Sequence, residues 1–203
     1  MYKIRQYFNL YEGTPPINDK NYRSSVHYNN FRLKKAEEQA KMKPVEIEKI
    51  IEYVKCFLEF LEIDKVNTLK ISGKNIDYKK IKKDNKLQDE KDIIWLKFTT
   101  DGYLGVVATS NDINFDIPES KQTYNQREKI YNQYTKQEQQ VWLHNTSGII
   151  VHHVNKSWDD TFVLVFPLKN IKKNLTRSVI ERGIGNYLIA NGVPILDFYS
   201  HNY

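Results

Sequence analysis

Two carboxylates and a histidine towards the C-terminal end of the sequence are of the types that metal-dependent hydrolysis uses. Glu181 lies in a predicted helix, Asp197 lies on a predicted strand after this helix, and His201 follows. A glutamate on a helix and an aspartate on a neighbouring strand can converge on one Mg²⁺, because this ion prefers oxygen ligands. The three are therefore the candidate catalytic residues of a metal-dependent nuclease or phosphodiesterase. In the competing interpretation Glu181 pairs with Arg177 or faces solvent, and Asp197 pairs locally.

Two further pairs of potential metal ligands have spacings that argue against a metal site. His152 and His153 are adjacent on a predicted strand, so their side chains point to opposite faces and do not hold one ion together. Asp159 and Asp160 follow in a predicted turn, where aspartates are common for conformational reasons. We therefore assign no metal ligands and expect no cofactor, with Mg²⁺ required only if the chain is a nuclease.

Basic residues concentrate in two segments, which are the candidates for contacting phosphate. Residues 63–86 hold eight Lys against three Asp, and residues 168–182 hold five basic residues against one Glu. The second segment begins a predicted helix, whose N-terminal end favours anions. The competing interpretation for both segments is a solvated, lysine-rich surface. The predicted nucleic-acid-binding residues are Lys79, Lys80, Lys82, Lys83, Lys172, Lys173 and Arg177.

The common catalytic motifs are missing from the sequence. It contains no G-x-x-x-x-G-K-[ST] phosphate loop, no G-x-S-x-G elbow, no H-E-x-x-H pair and no EF-hand loop. Gly183 and Gly185 lie inside a helical pattern with no strand before it, so they are not a dinucleotide-binding fingerprint. These absences favour a binding protein over an enzyme, although active sites also assemble from distant residues.

The composition is that of a globular, moderately basic protein. Of the 203 residues, 40% are hydrophobic and 13% are aromatic, which is enough apolar mass for a folded core. The net charge of +6 attracts polyanions weakly and excludes an acidic DNA mimic. Lys, Asn, Ile and Tyr are abundant, and AT-rich codons favour all four. We therefore expect a bacterial or phage origin, with a phage or another mobile element of a low-GC bacterium as the source.

Cysteine content and the apolar runs bear on the cellular compartment. Cys56 is the single cysteine, so neither a disulfide within the chain nor a thiolate zinc site is possible. This fits a reducing compartment. The first residues lack the apolar core of a signal peptide, and no run approaches the ~18 apolar residues of a membrane span. We expect a cytoplasmic protein that does not contact a membrane.

The first part of the chain predicts a strand, a long loop and two helices. Residues 2–11 alternate between apolar and polar types, as in a strand. Residues 12–31 are rich in turn formers and predict a mobile loop or arm. A short helix is predicted at 33–42. The clearest helix spans 44–62, because its apolar residues recur at helical spacing. A short strand follows at 66–72.

The second part of the chain predicts hairpins that alternate with helices. Residues 93–100 and 103–110 flank Asp101-Gly102, a pair typical of a type I′ hairpin turn. The later predicted elements are a Gln-rich helix at 122–139, a second β pair at 148–154 and 161–168, a helix at 174–191 and a terminal strand at 194–203.

Together these elements predict one α+β domain over residues 1–203. Its sheet is mostly antiparallel, is built from two hairpins plus terminal strands, and packs against three to four helices. The expected function is non-enzymatic binding of nucleic acid or a nucleoprotein, as in a phage- or plasmid-borne regulator or inhibitor. The alternatives are the metal-dependent nuclease and a protein-binding immunity or assembly factor. The latter would use the tyrosines of the Gln-rich helix, namely Tyr124, Tyr131 and Tyr134.

Overall fold

The structure is a computed structural model that describes residues 7, 26–63, 65–72, 76–113, 127–132, 136–142, 146–158, 161–169, 171–172 and 174–198. The helices in these ranges are α1 (Val26–Gln39), α2 (Ile47–Phe60), α3 (Tyr78–Asp84), α4 (Thr146–His153) and α5 (Arg177–Ala190). The strands are β1 (Leu69–Ser72), β2 (Ile93–Phe98), β3 (Leu104–Ser110), β4 (Arg127–Asn132), β5 (Gln137–Trp142) and β6 (Phe162–Pro167). This content confirms the predicted α+β class.

Four of the strands form one antiparallel sheet in the order β1-β6-β2-β3. Val165 of β6 lies opposite Leu69 of β1 on one side and Trp95 of β2 on the other. The strand predicted at 161–168 is therefore confirmed, and it lies in the interior of the sheet. Only β2 and β3 form a hairpin within this sheet, so one predicted hairpin contributes to it instead of two.

Both faces of the sheet are covered by helices, which explains why its central strand β6 is apolar throughout. Side chains alternate along β6, so that Leu164 and Phe166 face one side while Val163 and Val165 face the other. The first side packs against α2 and α5. The second side packs against α3 and, further along the sheet, against Trp158 and α4. Each of these fully buried side chains contributes about 1.5–3 kcal/mol.

The two helices on the first face form where the sequence predicts them. In α2 the buried residues Ile50, Val54 and Phe57 follow the predicted stripe, while Pro44 lies just before the helix instead of in its first turn. In α5 the hydroxyl of Thr176 accepts a hydrogen bond from the backbone N–H of Val179, as an N-cap does.

The turn between β2 and β3 differs from the predicted type I′ turn. A type I′ turn requires positive φ at both central residues, but only Gly102 has it, at +87°. The carbonyl of Thr99 accepts from the N–H of Gly102 at 3.1 Å, and the N–H of Thr99 donates to the carbonyl of Tyr103 at 2.8 Å. Three residues thus form the loop, and Gly102 supplies the left-handed conformation.

The Gln-rich helix predicted at 122–139 is wrong. Residues 127–132 and 137–142 are instead the antiparallel strands β4 and β5, with Arg127 opposite Trp142. Gln, Glu and Lys favour a helix locally, but the segment offers no clean apolar stripe, so pairing between the two strands determines its structure. Tyr131 lies on β4, and Tyr124 and Tyr134 lie outside the described residues.

The strand predicted at 148–154 is also wrong, because these residues belong to α4. The buried residues Ser147, Ile150 and Val151 have the spacing of one helix face. A short apolar run bounded by turn signals fits a buried helix as well as a strand, and its periodicity alone does not separate the two.

Predictions at both ends of the chain need correction. α1 begins at Val26, earlier than the helix predicted at 33–42, so residues 26–31 of the predicted arm are helical. The rest of that arm, and all of the predicted first strand except Tyr7, lie outside the described residues. In the described part of the predicted terminal strand, residues 194–198, the pairing is reduced to one parallel bridge between Ile195 and Leu104, and these residues are buried.

Candidate functional site

The lysines of α3 lie on the outer face of the second layer of helices. Tyr78 and Ile81 pack towards the sheet, next to the buried cluster that contains Val163 and Val165. The opposite face of this seven-residue helix carries Lys79, Lys80 and Lys83, all of them exposed. The sequence folds this way because Asp77 caps the helix by accepting from the N–H of Lys80 at 3.0 Å.

Lys82 differs from the other three lysines of α3 because it has a carboxylate partner. Its ammonium group donates to Asp112 at 2.7 Å, and this bond holds the pKa of Asp112 below its ordinary value. Lys79, Lys80 and Lys83 form no ion pair within the described ranges. Like charges three and four residues apart on a helix repel each other by a few tenths of a kcal/mol. An anion bound at this face would remove that repulsion.

Two of the three predicted residues of the second basic segment are already engaged within the protein. Lys172 pairs with Glu62 and lowers the pKa of that carboxyl group. The Nη1 of Arg177 donates to the backbone carbonyl of Lys91 at 2.5 Å. Lys173 lies outside the described residues. The available charge of the candidate surface therefore comes mainly from α3.

The two basic segments meet at one end of the sheet. β1 and β6 are antiparallel, with Leu69 opposite Val165, so the residues before β1 lie beside those after β6. A cavity of about 60 Å³ opens there, and its lining includes Lys65 from the first segment and Lys169 from the second. Asn85, which ends α3, lines the same cavity. Neither lining lysine was singled out from the sequence, although both lie in the segments that it identified.

Glu181, the first residue of the candidate catalytic site, is buried instead of exposed. It lies on the inner side of α5 with 4% of its surface accessible. Burial raises its pKa to about 8, whereas a hydrogen bond with the Thr109 side chain and the charges of Arg182 and Arg177 act to lower it. The interpretation that Glu181 faces solvent is wrong, and its hydrogen-bonding partner Thr109 belongs to β3.

Asp197, the second candidate catalytic residue, is held by a buried arginine. Its two carboxylate oxygens accept from Nε and Nη2 of Arg32 at 3.0 and 2.5 Å. The side chains are 2% and 1% exposed. A carboxylate whose two oxygens both accept hydrogen bonds from one guanidinium is engaged in a strong ion pair. The expectation that Asp197 pairs locally is wrong, because its partner lies 165 residues away in the sequence.

The two carboxylates are anchored at different parts of β3. The backbone N–H of Asp197 donates to the carbonyl of Gly105 at 2.8 Å, whereas Glu181 is bonded to Thr109. Four residues of extended strand separate these points by about 13 Å. Together with the pairing of Asp197, this separation gives no support to a shared Mg²⁺. His201 lies outside the described residues.

No cluster of metal ligands appears elsewhere in the ranges that the structure covers. Groups of three or more His, Cys, Asp or Glu placed to hold an ion are absent from them. His152 and His153 lie in the last turn of α4 instead of on a strand. His153 Nε2 lies 2.7 Å from a carboxylate oxygen of Glu37, so it joins α4 to α1. Asp159 and Asp160 lie outside the described residues.

Several buried polar residues were not expected from the sequence. Arg32 and Lys97 are each 2% exposed. The ammonium of Lys97 lies 4.5 Å from the ring centroid of Trp158, a cation–π contact between the sheet and the segment after α4. Arg32 falls between the predicted arm at 12–31 and the predicted helix at 33–42, and no local signal indicates that either side chain is buried. Both residues support the core in the described structure.

Comparison with known proteins supplies no relative. No protein-family model, curated protein or solved structure matches the chain. None of the helices within the described residues has the length and apolar character needed to cross a membrane.

Proposed function

We propose that this chain binds nucleic acid, alone or within a nucleoprotein complex, and performs no chemistry on it. The observation that carries the proposal is the outer face of α3, where Lys79, Lys80 and Lys83 are exposed together and have no carboxylate partner within the described residues. Lysines placed in this way neutralise phosphates and release the counterions that surround nucleic acid, which is the main source of non-specific affinity.

The contrast with the other charged residues supports this choice of surface. Lys82 and Lys172 are paired with carboxylates, and Arg32 forms a buried pair. Charges that serve the structure therefore have partners within the protein, whereas the charges of the α3 lysines remain available to a ligand. The helix is also anchored by Tyr78 and Ile81, so its outer face has a fixed position relative to the sheet.

The metal-dependent nuclease is the weaker candidate. Its aspartate is held by Arg32 inside the protein, and its glutamate is buried against β3. A catalytic carboxylate must reach the metal and the scissile phosphate, and neither side chain is placed for this. We therefore assign no catalytic residue.

The test is fluorescence anisotropy of labelled random-sequence DNA and RNA, single- and double-stranded, from about 50 to 200 mM salt. The wild type should bind with an affinity that falls steeply with salt. The variant K79Q/K80Q/K83Q should reduce the magnitude of the slope of log K against log salt by about 2–3. Gln has nearly the helix propensity of Lys, so α3 should remain folded.

A variant with the same loss of charge provides the control. Lys41, Lys43 and Lys55 are exposed and lie outside α3, so K41Q/K43Q/K55Q should leave the salt slope nearly unchanged. Equal effects of the two triple variants would show that only net charge matters and would refute the assignment to α3. Cleavage of the oligonucleotide with Mg²⁺ that is lost in Glu181→Gln would overturn the non-enzymatic proposal. No binding at low salt would direct the search towards a protein partner.

A further inference from the structure

The cavity at the end of the sheet has a lining suited to an anion. The described residues that line it include Lys65 and Lys169, which carry ammonium groups, and Asn67 and Asn85, which carry carboxamides. The other described lining residues are apolar. Among the described residues, no carboxylate lines it. Both lysines are exposed and form no ion pair within the part of the chain that the structure describes. A cation would be repelled here, whereas an anion would find charge and hydrogen-bond donors together.

The size of the cavity limits what it accepts. A single water needs about 10–15 Å³ of such space, and the cavity offers about 60 Å³. It therefore has room for a group of a few heavy atoms, such as one phosphate, and not for a base or a sugar. The apolar part of the lining excludes water from one side of that group, which strengthens its attraction to the lysines.

The C-terminal end of α3 borders this cavity, and the partial negative charge of that helix end is largely neutralised. The carbonyl of Ile81 accepts from both the backbone N–H and the side-chain amide of Asn85. The carbonyls of Lys82 and Lys83 accept from the N–H groups of Leu87 and Lys86. Because these carbonyls are bonded, they do not present their lone pairs to an incoming anion.

The backbone around the cavity is held in an unfavourable conformation. Lys65 and Lys86 have φ of 59° and 54°, in the left-handed region that a lysine seldom adopts. Lys65 lines the cavity, and Lys86 lies between the lining residues Asn85 and Leu87. Residues in such conformations concentrate where a ligand is held. At Lys65 this conformation occurs in a charged residue that lines the cavity.

We propose that this cavity is a phosphate-binding subsite, in which Lys65 and Lys169 hold one phosphate group and Asn67 and Asn85 donate hydrogen bonds to it. The inference rests on the proposed function: the phosphate belongs to the nucleic-acid backbone, and the α3 lysines contact phosphates beside it. The subsite fixes the register of the backbone against the protein and reads no sequence.

Inorganic phosphate is the probe for the first test, because it requires no knowledge of the nucleic acid. Thermal unfolding of the full chain is followed in phosphate and in sodium chloride of equal ionic strength. The wild type should melt about 3–6 °C higher at a phosphate concentration ten times Kd, because the ligand binds only the folded state. The variant K65N/K169Q should show no such increase. Asn tolerates the left-handed conformation, so this variant should fold.

The chain offers a closely matched control. Lys136 is also exposed and also has a left-handed backbone, with φ of 57°, but it lies between β4 and β5 and does not line the cavity. The variant K136N/K43Q removes the same charge as K65N/K169Q and should respond to phosphate like the wild type. The melting temperatures of both variants in chloride report whether each is folded.

The outcomes separate this inference from the proposed function. An equal phosphate response in the wild type and K65N/K169Q, or no response in either, overturns the subsite. If oligonucleotides still bind through the α3 lysines in that case, the proposed function stands without it. If the phosphate response is lost in K65N/K169Q but kept in K136N/K43Q, the subsite is upheld. If the wild type then binds no oligonucleotide, the cavity takes a small phosphate compound and the nucleic-acid proposal fails.

Discussion

Replacing Glu181 by Gln should remove a pH dependence of stability that the wild type carries. Burial raises the pKa of Glu181 from 4.5 to about 8 in the folded protein. Between these values the folded state holds a proton that the unfolded chain has lost. The stability that Glu181 contributes is therefore fully present below pH 4.5 and is lost as the pH rises towards 8, by about 1.4 kcal/mol per pH unit. From pH 5.5 to 7.5 the loss is about 3 kcal/mol.

The assay is urea unfolding of the wild type and Glu181→Gln at several pH values in this range. Trp158 is fully buried, so tryptophan fluorescence reports loss of the core. Gln has the shape of the protonated carboxyl but does not titrate, so the difference in unfolding free energy between the two proteins isolates Glu181. All other titratable groups are common to both proteins, so their contributions cancel in this difference. The variant should gain stability relative to the wild type as the pH rises.

Two parallel curves between pH 5.5 and 7.5 would refute this reasoning. They would mean that Glu181 is ionised in the folded protein, with the Thr109 hydrogen bond and the charges of Arg182 and Arg177 outweighing burial. A constant offset between parallel curves would report only the loss of a hydrogen bond, about 1–3 kcal/mol.

The other buried contacts give predictions about stability. Arg32→Met should cost about 3–5 kcal/mol in urea unfolding because it leaves Asp197 buried without its partner, whereas R32M/D197L should recover most of this loss. Equal stabilities of the two variants would show that the pair is not buried in solution. Gly185→Ala should lower the melting temperature, because its Cβ would lie 2.7 Å from the Phe198 ring. Phe198→Leu should reduce that penalty in a double-mutant cycle, and additive effects would contradict the close contact.

The elements that the sequence predicted correctly are those with strong local signals. α2 has a long apolar stripe, and α5 has the Thr176 cap at one end and Gly192, with φ of +78°, at the other. Asp101-Gly102 indicated the hairpin between β2 and β3, although not the turn type. β6 was recognised because an apolar run of this kind suits a strand covered on both faces.

The elements that failed are those in which distant contacts decide the structure. Residues 148–154 are equally suited to a buried strand or helix, and α4 forms because its buried residue Val151 packs beside Trp158 on the sheet. The hairpin of β4 and β5 draws its stability from pairing between strands, which local propensities do not report. Neither the helix α4 nor the hairpin of β4 and β5 can be predicted from neighbouring residues in the sequence alone.

The charged residues show the same limit for the candidate site. Sequence spacing brought Glu181 and Asp197 together as a catalytic pair, but the partner of Asp197 is Arg32, 165 residues away in the chain. No local pattern relates these two positions. The α3 lysines stand out in the sequence as a dense basic segment, and the structure adds that three of them face outward while Lys82 pairs with Asp112.

The structure also offers a physical criterion for choosing among charges in a sequence rich in lysine. A charge that supports the fold acquires a partner or an aromatic ring, as Arg32 does with Asp197 and Lys97 with Trp158. Under the proposals made above, a charge that serves a ligand is left exposed at some cost, through repulsion on α3 or through the left-handed backbone at Lys65 beside the cavity. By this criterion a surface is a better candidate when its charges are costly to the fold than when they are merely numerous. The stability of K65N/K169Q in chloride tests this criterion directly. It should equal or exceed that of the wild type, because the substitutions relieve backbone strain and charge repulsion and remove no interaction that stabilises the folded protein.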